Sequence, residues 1–361
     1  MKSLIMESIL RQDRKTYLTK NWFQENYLLN LAETNLENIP PIVIRRMLED
    51  FDWWYWYPEF YLYDLFNQNI CARYGHQVNP EQVFLWHWSF NIIERILHKF
   101  LDLDFLIGYW PQFNEIPSDF EFTWGKYISS NFSRQKMWLS RELIENTLQE
   151  FHWRRALYID NPNNPTGHFY MPDEIESIIE IAMNNDAAVI IDEAFGDYLA
   201  DEYSAIQFTS RYPNIIVVRS MSKFFGLSGL RIGYAVMSKN LSEYYARIDV
   251  PFEPSVLSLY IWNQLINDQN LASDIRNTST HKKQKMMKLF WDKNITMTPT
   301  NIETPLLFIT KQKNDLFNDI KVIDGINFDN TYESANEFFR VRLPNNESEM
   351  NIFENILLWA Q

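Results

Sequence analysis

Residues 219–234 read "RSMSKFFGLSGLRIGY". The chain has nine glycines in 361 residues, and three of them, Gly226, Gly229 and Gly233, fall in this stretch beside Lys223 and Arg231. Bare backbone is demanded where a chain turns tightly or approaches another group closely, so the concentration predicts a tight loop that comes up against a bound group. Ser220, Ser222, loop amides and the Arg231 guanidinium form a cradle suited to a phosphate. A lysine amine at its centre is placed to form a Schiff base with a carbonyl on the same ligand.

Outward from this loop the pattern alternates. "RALYI" (155–159) ends in the turn-rich "DNPNNPTG", after which "MPDEIESIIEIAMNND" has an early proline, early acids and Ile175, Ile178, Ile179 and Ala182 at helical spacing. "AAVIID" (187–192), "NIIVVRS" (214–220) and "LRIGYAV" (230–236) follow as further apolar runs. Such runs, bounded by turns and separated by a helix, predict buried parallel strands of an α/β sheet. Ligands of these sheets gather at the carboxyl ends of the strands, where "NPNNPTG", "DEAFGD" and "RSMSK" stand. Upstream, "QVFLW" (82–86), a helical "SFNIIERILHKFL" and "DFLIGYWPQF" extend the pattern. Beyond about residue 240, long helical patterns over 242–292 and the strand candidates "PLLFITK" and "EFFRVRL" predict a smaller α+β domain. The expected division is an N-terminal arm or lid (1–44), a large ligand-binding domain (45–245) and a small C-terminal domain (246–361).

Composition narrows the function classes. A formal charge of −14 repels phosphate backbones and anionic lipid, so neither nucleic acid nor a membrane surface is an expected partner. Cys71 is the single cysteine, and the six histidines have no metal-ligand spacing, so no disulfide and no metal site are expected. No run reaches the roughly 18 apolar residues of a membrane span. The opening "MKSLIMESILRQDRK" lacks a small-residue cleavage site, and the expected location is the cytoplasm. Aromatic residues make up 16% and are densest in "FDWWYWYPEFYLYDLF" (51–66); this segment reads either as an interface or core-facing stretch or as pocket lining that reaches a neighbouring subunit.

Asp192 ends an apolar run, where burial favours the neutral acid unless a cation such as a protonated ring nitrogen holds it ionised. A helix cap or a partly solvated loop acid is the other reading. "NPNNPTG", "DEAF" and "SMSKFFGLSGLRIGY", in this order and spacing, resemble the class I/II aminotransferases, the fold-type I enzymes that use pyridoxal 5′-phosphate (PLP), with the histidinol-phosphate aminotransferase branch the most similar. The resemblance implies a mainly parallel sheet flanked by helices, with a smaller α+β domain. It implies that Lys223 is the Schiff-base lysine, that Asp192 pairs with the pyridinium nitrogen and that Asn164 bonds the cofactor 3-hydroxyl. Ser220, Ser222 and Arg231 match the phosphate binders, and Arg340 in "FFRVRLP" matches the arginine for the substrate α-carboxylate, with Arg342 the alternative on spacing. Phe113 in "WPQF" matches the aromatic that stacks on the ring. Tyr57 in "YPE" matches a tyrosine that reaches the phosphate of the neighbouring subunit, implying a homodimer with a shared active site, or else it is a core tyrosine.

Two departures from the pattern bear on the chemistry. Phe195 stands where most members carry a tyrosine that bonds the 3-hydroxyl, which leaves Asn164 as its main partner and raises the pKa of the Schiff base. "WHWSFNIIE" (86–94) replaces a glycine-rich turn, leaving the backbone amides of Ser89 and Phe90 to meet the phosphate. Both departures are compatible with ordinary transamination of an amino acid. Transamination is the expected reaction, and the alternative that the departures motivate is cyclisation, elimination, oxidation or decarboxylation of an arginine-like amino acid, as in arginine-oxidising and arginine-cyclising relatives; Glu33 would then bind a guanidinium, or else be a solvated acid.

Overall fold

In the computed structural model, which describes residues 27–359 except 35, 54, 56, 76, 110, 131–139, 251–252, 311–318 and 325–336, a two-residue strand β1 (Leu29–Asn30) precedes a central sheet of seven strands. The central strands are β2 (Val83–Trp86), β3 (Phe105–Tyr109), β4 (Lys126–Ser130), β5 (Arg155–Asp160), β6 (Ala188–Glu193), β7 (Ile215–Ser220) and β8 (Gly233–Met237), in the order β2-β8-β7-β6-β5-β3-β4. Successive side chains of a strand point to opposite faces. Leu157, Ile159, Val189, Ile191 and Val217 accordingly enter one core, and Ala156, Tyr158, Ile190, Ile216 and Val218 enter a second on the other face. Burial on both faces is why these strands read as unbroken apolar runs. Helix Pro172–Asn184 lies where its spacing predicts, with Pro172 at its first position.

One expected direction is corrected. The run at 230–236 reads as another parallel strand, but β8 pairs antiparallel with both β7 and β2. Parallel neighbours need a crossover of a dozen or more residues, usually a full helix. The link between β7 and β8 has only the four-residue helix Met221–Phe224 and a 3-10 turn at Ser228–Leu230, so the chain doubles back. The reversal matters for the site, because the start of β8 comes to the edge where β2, β5, β6 and β7 end: Gly233 is in register with both Ser220 and Trp86.

The later strands β9 (Leu306–Thr310), β10 (Ile320–Lys321), β11 (Ile323–Asp324) and β12 (Phe338–Arg342) form smaller sheets, with β11-β12-β9 antiparallel and β10 parallel to β1. The 24-residue helix Gln269–Asp292 and helix Glu347–Trp359 accompany them. Lys283 in the first of these helices is fully buried, and its Nζ donates to Thr300 Oγ1 at 2.7 Å and Thr304 Oγ1 at 2.9 Å. Thr304 in turn donates to the Gly167 carbonyl at 2.6 Å, tying this region to the turn after β5.

The chain from Leu29 to Ile39 bridges the two regions. On one side the Leu31 amide donates to the Lys321 carbonyl at 2.8 Å and the Arg342 amide donates to the Leu31 carbonyl at 2.9 Å. On the other, Asn38 Nδ2 donates to the Phe224 carbonyl at 2.5 Å, and the Leu36 carbonyl oxygen occupies the space a Cβ on Gly226 would need. Gly226 also has a φ of +72°. The glycine loop is therefore explained differently from its sequence reading: Gly226 makes room for the chain's own arm. Gly233 makes room for the Ser89 amide, whose nitrogen would lie 2.6 Å from a Cβ placed there. Gly229 is exposed and meets nothing within 4 Å.

Gly226→Ala should therefore lower stability by more than about 1 kcal/mol, combining left-handed backbone strain with the Leu36 collision. Gly229→Ala should stay within about 0.5 kcal/mol of wild type. Urea unfolding of both variants checks the contrast, and equal midpoints would refute it.

Candidate active site

The shared edge of β5, β6 and β7 opens into a cavity of about 430 Å³. Lys223, Asp192, Asn164, Ser220, Ser222, Arg231, Phe113, Ser89, Phe90, Phe195 and Arg340 all line it. Residues drawn from separate strands, turns and the smaller sheet thus converge as the sequence motifs require. Glu33 and Tyr57 are not part of the lining. The Glu33 carboxylate takes the Asn30 side-chain amide at 3.2 Å. Tyr57 is 83% exposed on another face, beside Trp53 and Glu59.

Lys223 follows β7 in the helix capped by Ser220, whose Oγ accepts from the Ser222 amide at 3.3 Å. Its Nζ donates to Thr34 Oγ1 at 2.7 Å. Burial brings the ammonium down to about 8, aided by the Arg340 and Arg231 guanidiniums and opposed by the Asp192 and Glu33 carboxylates. A lysine with this titration supplies a free amine near neutral pH.

Asp192, one residue before the end of β6, is in register with Asp160 at the end of β5. Tyr158 Oη donates to Asp192 Oδ2 at 3.0 Å, and the Ala194 amide donates to Oδ1 at 3.0 Å. Burial pushes Asp192 up to about 6 against these hydrogen bonds. Asp160, also lining the cavity, is a site residue that the sequence reading missed, yet it carries more contacts. Its Oδ1 accepts from Tyr109, Gln112 and Asn163, and its Oδ2 from the Asn164 amide at 3.0 Å and the Phe113 amide at 3.4 Å. One carboxylate thereby fixes the backbone of two cavity residues from different turns. Burial pushes Asp160 up to about 7, opposed by its donors and reinforced by the Asp192 charge. The available signal was the same as for Asp192, an apolar run ending in an acid.

The remaining polar groups are similarly held. Asn164 Oδ1 accepts from Arg340 Nη1 at 3.0 Å, and Arg340 Nη2 donates to the Ala32 carbonyl. Arg342, the alternative on spacing, lies outside the cavity lining and donates to Glu349 at 3.2 Å. Arg231 has a φ of +49°, strained for a residue with a side chain. Its Nη1 donates to the Ser228 carbonyl at 2.8 Å, and its guanidinium sits 4.4 Å from the Trp88 ring centroid. Trp88, in the altered turn, is thus a cavity wall and a cation–π partner. Phe195 is buried and stacks on Tyr198 at 6.4 Å.

Asp160 and Asp192 bind a proton more tightly in the folded chain than in an unfolded one. Their contribution to stability is therefore full below about pH 4 and lost as pH rises through about 6 and about 7. For the chain without ligand, urea midpoints of wild type and Asp160→Ala measured from pH 4.5 to 7.5 should show the wild-type advantage shrinking with pH. A constant difference would contradict a titrating Asp160.

A family model described as aminotransferase class I and II matches residues 27–301. The chain is 30% identical over 194 residues to a histidinol-phosphate aminotransferase of Haloquadratum walsbyi, covering 54% of this chain and 50% of that one. It is 28% identical over 251 residues to histidinol-phosphate aminotransferase 2 of Haemophilus influenzae, covering 68% and 65%. These matches thus span between about half and two thirds of the relatives' lengths. Among solved structures, the histidinol-phosphate aminotransferase of Sinorhizobium meliloti in complex with pyridoxal-5′-phosphate superposes with a TM-score of 0.81 at 15% identity, over 99% of this chain and 98% of that one. An aspartate aminotransferase double mutant of Thermus thermophilus also gives 0.81 at 15% identity, over 99% of both chains. The fold is that of the fold-type I transferases, and the family match extends over most of the sequence. The chain belongs to the class I and II aminotransferases.

Proposed function

We propose that this protein is a PLP-dependent aminotransferase acting at the α-carbon of an amino acid. The observation that carries the reading is the convergence of Lys223, Asp192, Asn164 and Arg340 on one cavity that Ser220, Ser222 and Arg231 also line. This donor set fits PLP: a low-pKa amine for its carbonyl, a buried carboxylate for a protonated ring nitrogen, and hydroxyls with a guanidinium for its phosphate. The cavity volume is also in the range of small-ligand sites.

When bound, PLP supplies the carbonyl that takes up the amino group and the ring that accepts electrons from the substrate. The protein supplies the rest. Ser220, Ser222, Arg231, Ser89 and Phe90 would anchor the phosphate, Phe113 would offer an aromatic surface to the ring, and Asn164 would bond the 3-hydroxyl without help from a phenol at Phe195. Asp192 holds the proton on the ring nitrogen. Arg340 grips the α-carboxylate through its planar fork, and Lys223 Nζ removes the α-proton and returns it. Family membership supports transamination over the non-transaminating chemistries compatible with Phe195.

Phe51, Leu62 and Phe66 of the aromatic segment are buried, but Tyr55, Tyr57, Phe60 and Tyr61 are 93%, 83%, 63% and 46% exposed. An aromatic face of this kind fits a subunit interface, supporting a homodimer in which Tyr57 serves the neighbouring site. Among the described residues no helix is long and apolar enough to cross a membrane; we place the enzyme in the cytoplasm, with the arm, large and small domains divided near residues 44 and 245.

Incubating the purified chain with PLP and a panel of amino acids, together with the amino alcohol ester histidinol phosphate, tests the reaction. One donor should yield its oxo product with stoichiometric pyridoxamine 5′-phosphate, seen by mass spectrometry. Lys223→Ala should abolish turnover, and Arg340→Lys should raise KM for a carboxylate-bearing donor about tenfold or more. A cyclised, oxidised or decarboxylated product without pyridoxamine 5′-phosphate would overturn transamination.

A further inference from the structure

Lys223 has a partner that neither the motifs nor the family match assigns. Its Nζ donates to Thr34 Oγ1 at 2.7 Å across 189 residues of sequence, and Thr34 lines the cavity. The position of that hydroxyl is pinned from both sides. The Ala32 and Glu33 amides donate to Asn30 Oδ1 at 3.0 and 3.4 Å, and the Ala32 carbonyl takes Arg340 Nη2. Beyond Thr34, the Leu36 carbonyl abuts Gly226 and Asn38 is bonded to the Phe224 carbonyl, one residue past the lysine.

We propose that Thr34 is a positioning residue for Lys223, its hydroxyl accepting one N–H of the side chain in both the ammonium and the free-amine state. The inference rests on the reading of Lys223 as the proton-transferring amine. A hydroxyl suits that task because it orients Nζ without adding charge. The charged groups acting on Lys223 are Arg340 from β12, Arg231 before β8, Asp192 from β6 and Glu33 from the arm; a carboxylate at position 34 would add to the last two and favour the ammonium at neutral pH. A threonine accepts from the ammonium and, after the proton leaves, still accepts from the amine while the lone pair is free to act.

The test measures the lysine directly and needs no turnover. Full-length chain, freed of any bound carbonyl compound with hydroxylamine, is pulsed with acetic anhydride between pH 6.5 and 10, and acetylation of Lys223 is read by peptide mass spectrometry. Wild type should show a midpoint near 8. Thr34→Val keeps the shape but loses the acceptor that stabilises the ammonium, so its midpoint should fall by about one pH unit. Thr34→Ser keeps the hydroxyl and should titrate with wild type. The proposal is overturned if Val and wild type share a midpoint, or if Ser shifts as far as Val. Should the chain fail to transaminate any donor, the proposed function falls while these midpoints still decide the role of Thr34.

Discussion

The site depends on the burial of two carboxylates side by side. β5 and β6 are parallel and in register, so Asp160 and Asp192 are paired at the same edge, and neither is more than 6% exposed. Each buried charge must be met by donors or cations, because desolvation otherwise drives the acid to neutrality. The protein meets them differently. Asp160 is surrounded by N–H and O–H groups of its own turns and so organises the walls. Among the described residues, the Asp192 carboxylate accepts only from Tyr158 and one backbone amide, which leaves its chemistry directed at the cavity. The two acids differ in how many donors each one is given.

A second constraint is the reversal at β8. Had that strand run parallel, the residues before it would lie at the opposite edge of the sheet. Its antiparallel course brings Arg231 to the cavity, where the backbone accepts a left-handed conformation and Trp88 covers the guanidinium. The bulky turn at 86–90 is thus accommodated by a cation–π contact, a different solution from a glycine-rich turn.

Much of this was legible in the sequence, for identifiable reasons. Strands β5, β6 and β7 are buried on both faces and so appear as unbroken apolar runs, and Asn164, Asp192 and Lys223 stand in the short polar motifs at or just after their carboxyl ends. The direction of β8 was not legible, because an apolar run looks the same either way. Strand β4, "KYISS", is an edge strand with no apolar run to betray it. Asp160 carried the same sign as Asp192 but was masked by the turn residues after it. Thr34 left no sign, since a contact made across 189 residues has no periodicity.

The arm from Leu29 to Ile39 has one consequence beyond its packing. It gives a carbonyl to Arg340, a hydroxyl to Lys223 and a backbone edge to Gly226, so it links β12 to the short helix and loop that follow β7. Leu29, Leu31, Leu36 and Ile39 of the arm also share the core on one face of the central sheet. A variant with a disordered arm would therefore leave Lys223 and Arg340 without their common reference frame and uncover the loop at Gly226.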